Sequence, residues 1–192
     1  MSPSDGTKTV YLWVMDRAGN INGCSASIIV DTLSPIITLN SPAGNGVSNE
    51  DIVLNYSLSE AVGSNTLVLS FIRIGGATDT LHTLVIGSIT AGSQEMILSG
   101  SSLGLRDGCV YAVSLEGRDM ADNCGKASNT NWQYDTSIAT PTLTLNQGAL
   151  FANAATVSVS VSNDAEASGW LIGTMTGKPD KDDSRCLTDS PT

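Results

Sequence analysis

The chain has 192 residues, 41% of them hydrophobic and 15% charged, with 19 acidic against 9 basic residues and a net charge of −10. That balance excludes a disordered acidic tail, and it leaves no basic stripe for nucleic acid or an anionic membrane surface. No apolar run is long enough to span a bilayer, and the opening MSPSDG lacks the basic and apolar regions of a signal peptide.

Residues 5–20 read DGTKTVYLWVMDRAGN. An Asp-Gly pair leads into an apolar strand, which closes on a turn. Asp16 can accept backbone amides of that turn, and Gly19 and Asn20 tolerate positive φ. A second strand then runs to Asp31-Thr32.

The next unit opens with a strand at Pro35–Asn40, followed by the breaker-rich loop SPAGNG. Asp51–Leu58 alternates, with Ile52, Leu54, Tyr56 and Leu58 on one face. Strands follow at Thr66–Ile74, Leu81–Gly87 and Glu95–Leu98. Cys109–Leu115 places Cys109, Tyr111, Val113 and Leu115 on one face, and Ala127–Tyr134 closes the unit. Seven short strands at this spacing, with turn signals between them and no helix pattern, predict a sandwich. Tyr111 stands four residues after Asp107, where Ig-like sandwiches often bond a Tyr hydroxyl back to the preceding corner.

The ending is written twice. Asp107–Asn123 reads DGCVYAVSLEGRDMADN and is followed by Asp135-Thr136. Thr38–Asn40 and Thr144–Asn146 both read TLN. Asp16 and Asp119 lie 103 residues apart, Asp31 and Asp135 104. The period is one Ig-sized domain rather than a short solenoid unit. In the last segment Thr156–Val161 alternates, and Gly169–Met175 (GWLIGTM) reads as the next strand. Residues 1–34 thus hold the last strands of one unit, 35–136 a whole unit, and 137–192 the first strands of another. The chain reads as a window cut across a tandem array.

Motifs for chemistry are sparse. His82 is the one histidine and sits inside a strand. Cys-x-x-Cys and a phosphate-cradling Gly-rich loop are missing, so the residues argue against an enzyme. No cofactor is expected apart from calcium. Its candidate ligands are Asp31 and Asp135 near unit boundaries and Asp16 and Asp119 in the turns, with Asp122 beside them and Asp180, Asp182 and Asp183 in a late loop. Solvated acidic turns are the competing reading. Cys109 and Cys124 are the disulfide candidates, against reduced thiols; Cys186 could pair only with Cys24 of a neighbour or outside the fragment. Asn55-Tyr56-Ser57 fits a glycosylation sequon, but its mid-strand position makes it a chance match.

DGTKTVYLWVMDRAGNIN, followed by an apolar strand and DTLSP, resembles the last two strands of bacterial Ig-like repeats. Such tandem repeats occur in large secreted or surface-attached, adhesin-like proteins. The second copy, DMADN, is similar but lacks the Gly of the first. The resemblance implies an all-β, Ig-like antiparallel β-sandwich, with one complete domain flanked by two partial ones. It implies a structural spacer at the cell surface or outside the cell, in a longer exported protein. A carbohydrate- or protein-binding module, or an accessory domain of an extracellular enzyme, is the alternative; Trp132 and Trp170 are then the ligand-contact candidates. The expected partners are neighbouring repeats of the same chain and, by head-to-tail self-association, other copies. A glycan or protein ligand belongs to the alternative. Nucleic acid and membrane insertion are not expected.

Overall fold

The computed structural model describes residues 4–49, 51–87, 90–153 and 157–162. The chain divides into two compact units, Met1–Thr136 and Ser137–Thr192. The described residues are predominantly strand, in several antiparallel sheets.

The first unit begins with a hairpin of β1 (Gly6–Met15) and β2 (Ile21–Val30), paired from Gly6 opposite Val30 to Met15 opposite Ile21. Then come β3 (Ile37–Ser41), β4 (Val47–Ser48), β5 (Asp51–Leu58), β6 (Leu67–Gly76), β7 (His82–Ile86) and β8 (Gly92–Ser99). A single helical turn, α1 (Gly100–Leu103), precedes β9 (Cys109–Arg118) and β10 (Cys124–Tyr134). One sheet has the order β3-β5-β8, the other β4-β10-β9-β6-β7. β4 runs parallel to β10; every other pairing is antiparallel.

The two sheets share one core. The even residues of β5 from Ile52 to Leu58 are buried, as their alternation requires. Leu67, Leu69 and Phe71 of β6 and Cys109, Tyr111, Val113 and Leu115 of β9 complete it with Trp132 and Tyr134. Phe71 meets Tyr111 edge-on at 6.1 Å and Trp132 at 5.6 Å. Each such side chain contributes about 1.5–3 kcal/mol by leaving water.

Three features depart from the sequence expectation. β4 is too short to carry a period. The turn α1 forms because Ser99 accepts the Ser102 amide and Gly104, at φ 78°, closes it. β10 starts at Cys124 and carries a bulge between Asn129 and Trp132. Asn131 there takes φ 59°, and the Asn129 side chain donates to the Leu39 and Pro42 carbonyls at 3.0 and 2.8 Å. This extra residue is why the repeat spacing grows from 103 at the turns to 104 beyond them.

In the second unit β11 (Thr142–Leu145) pairs antiparallel with β12 (Val159–Ser162), with a 3-10 turn over Asn146–Gly148 between them. The strand expected at 169–175, with Trp170, lies outside the described residues, as do Cys186, Asp180, Asp182 and Asp183.

Candidate functional site

The duplicated turn is the best-built polar feature. Asp16 accepts the amides of Ala18 and Asn20 on Oδ1, at 2.8 and 2.9 Å, and the Asn20 side-chain amide on Oδ2 at 2.8 Å. Asp119 repeats every bond, accepting Ala121 and Asn123 amides at 2.8 and 2.9 Å and the Asn123 side chain at 2.9 Å. Gly19 has φ 87°; its counterpart Asp122 has φ 70°. Asp tolerates this left-handed position, so the second copy dispenses with glycine. Arg118 also reaches the Asp122 carbonyl and carboxylate, at 3.1 and 3.4 Å.

The far end of each hairpin is clasped alike. Asp5 accepts the Thr32 hydroxyl at 2.9 Å and its amide at 3.2 Å. Asp107 accepts the Thr136 amide at 2.6 Å.

Asp119 lies beside two other acids. Ligand oxygens of Asp31, Glu60 and Asp119 fall within 4.8 Å of one another. Asp119 is buried, and the other two are half-buried. Burial would raise the Asp119 carboxyl, but its bonds from Asn123, Ala121 and Asp122 together hold it below the usual carboxylate range. Glu60 is pushed up, by burial first and then by the charges of Asp31 and Asp119. Both oxygens of Asp119 are already committed to its turn. A hard cation wants six to eight oxygens, and three carboxylates so engaged are a thin supply.

Of the four calcium candidates, then, Asp31 and Asp119 come together and Asp16 and Asp135 do not. Asp16 closes its own turn. Asp135 follows β10 at the other end of the sandwich, its amide donating to the Ser48 carbonyl at 3.0 Å. Glu60 was missed because a single carboxylate before a strand carries no spacing signal.

A second cluster joins Asp79, His82 and Tyr111. Tyr111 donates its hydroxyl to Asp79 and accepts the Arg106 amide at 3.0 Å, which is the expected corner bond. Asp79 also meets His82 Nε2 at 2.9 Å and takes the Thr80 amide at 2.8 Å. Burial first, and then the Asp79 partner, push the Tyr111 hydroxyl well above its ordinary pKa. Burial works against Asp79, but its three donors outweigh it and hold the carboxyl low. The cluster pins the loop before β7 to β9.

The expected Cys109–Cys124 bridge does not form. Both are free thiols, Cys109 buried opposite Tyr134 and Cys124 exposed opposite Arg118. The length of β9 separates them by about 30 Å, where a disulfide needs Cα atoms within about 7 Å. Trp132 is only 1% exposed and packs in the core, so its ring offers no ligand surface. No protein-family model, curated protein or solved structure matches this chain.

Proposed function

We propose that residues 35–136 form an Ig-like sandwich, and that the chain is a tandem-repeat spacer of a secreted or surface-attached, adhesin-like bacterial protein, without enzymatic activity. The observation that carries the reading is the duplicated hairpin, with its Asp turn at one end and its Asp–Thr clasp at the other. A three-stranded sheet facing a five-stranded one, and the Tyr111 corner bond, support the Ig-like assignment. The bacterial and extracellular setting rests on the sequence resemblance.

A spacer must hold length under load. The chain enters the sandwich beside the β9–β10 turn, where the Asn123 side chain donates to the Asp31 carbonyl. It leaves at the other end of β9, where Thr136 meets Asp107. Traction between these points draws β4 and β10, which are parallel, in opposite directions and loads their bonds in shear together. Those bonds run from Gln133 to Gly46 and from Asp135 to Ser48, at 2.9 and 3.0 Å. Single-molecule pulling from the ends of residues 35–136 should give one cooperative rupture with a gain of about 300 Å in chain length, at roughly 3.5 Å per residue. Gradual lengthening without a force peak would sink the spacer reading.

One observation favours a binding module as the second reading. Tyr11 and Trp13 stand on one face of β1, 63% and 69% exposed. Saturable quenching of tryptophan fluorescence by an oligosaccharide, lost in Trp13→Ala, would support it. No quenching by any oligosaccharide or protein offered would dismiss it.

A further inference from the structure

We propose that the β1–β2 hairpin of one copy of this chain is completed by β11–β12 of a second copy, so that copies join head to tail. The inference rests on the tandem-repeat reading, in which both hairpins are parts of one kind of unit.

The shared turn fixes the correspondence between the hairpins. Val10, Leu12 and Val14 hold the places of Val113, Leu115 and Gly117; past the bulge, Ile28 holds that of Trp132. In the sandwich Val113 and Leu115 are fully buried and Trp132 nearly so. In the hairpin Val10, Leu12, Val14 and Ile28 are 47%, 59%, 57% and 62% exposed. Among the described residues, β1 and β2 pair only with each other.

The chain itself shows what covers such a face. Over β9–β10 lies the sheet containing β3 and β5, which contributes Ile37, Leu39, Tyr56 and Leu58 to the shared core. β11–β12 repeats that pair. Ile37 opposite Leu58 and Leu39 opposite Tyr56 become Leu143 opposite Val161 and Leu145 opposite Val159. Leu143, Leu145 and Val159 are 59%, 49% and 42% exposed. Each half therefore exposes the apolar face whose counterpart is covered by the other half's counterpart. Lys8, at the place of Tyr111 on this face, is the one charged residue in these four strands, so the net charge of −10 does not concentrate repulsion there.

Sedimentation of the full chain under reductant, from micromolar to millimolar concentration, tests this. The average mass should climb from 19.8 kDa in multiples of that value. Leu12→Asp and Leu145→Asp should each abolish the climb, because each blocks one half of the contact. Mixed in equal amounts they should form a one-to-one pair, because each keeps the half the other has lost. Assembly that persists in Leu145→Asp would mean hairpin-to-hairpin contact and would overturn the proposal. A wild-type mass of 19.8 kDa throughout would overturn it as well. Thermal unfolding followed at the buried Trp132 separates the two readings. A monomer with a single sharp transition defeats the assembly and leaves the sandwich standing. Loss of that transition in the wild type defeats both.

Discussion

The side chain of Asn123 donates to the backbone carbonyl of Asp31, 92 residues earlier in the chain, at 3.1 Å. The same amide also braces Asp119. One asparagine thus ties the turn of the sandwich to the strand end of the preceding hairpin.

Asn123→Ala should lose both bonds and leave Asp119 short of a donor. A cost of about 1–2 kcal/mol in urea unfolding is expected. Amides of residues 31–36 should exchange faster with solvent than in the wild type. Unchanged exchange there would mean the tie carries no weight.

Gly76 has φ 68°, and a Cβ there would run into the Gly108 carbonyl. Gly76→Ala should destabilise the sandwich by about 2–4 kcal/mol, combining backbone strain with a clash that backbone cannot relieve. Gly19 also has positive φ, but open space surrounds its Cβ direction. Gly19→Ala should cost about 1 kcal/mol and affect the hairpin alone. Parallel thermal melts would separate the two.

Tyr111→Phe removes the donor to Asp79 and the acceptor for the Arg106 amide. Loss of about 1–3 kcal/mol is expected, chiefly from buried groups left unpaired. The Asp79 carboxyl should also titrate higher, since it loses one of the donors that hold it low. An unmoved carboxyl titration would separate Tyr111 from the cluster.

The carboxyls predict opposite pH trends. Asp79 and Asp119 are depressed in the fold. Their stabilisation is present above the unfolded value of about 4 and fades as pH falls through their lower folded values. Glu60 is raised. Its contribution favours the fold below the unfolded value of about 4.3 and is lost as pH rises through the folded one. Stability should therefore peak in mild acid and fall on both sides. Glu60→Gln should flatten the fall toward neutral pH and leave the acid limb in place. A wild-type curve with no decline between mild acid and neutrality would refute the role given to Glu60.

Much of the strand pattern was legible because one face is buried. β5 is bounded by Asp51 and Leu58, the residues its alternation marks out. β9 was legible for the same reason, though it runs on to Arg118 because Glu116 and Gly117 still pair in the ladder. β4 was not legible, since two residues cannot show a period. The disulfide expectation failed because proximity in sequence hid the full length of β9 between Cys109 and Cys124. Trp132, a ligand-contact candidate only if the chain is a binding module, lies over the core, the usual place of a strand tryptophan. The acid cluster was half legible: Asp31 and Asp119 repeat in the sequence, while Glu60 joins them only through folding.

The bulge in β10 has a consequence for anything built from such units. The Asp turn holds one end of each hairpin and the Asp–Thr clasp holds the other. The residue that β10 gains is absorbed as a local kink at Thr130–Asn131, and the ladder to β9 resumes beyond it. A strand of this kind can therefore gain a letter and still close against the same partner.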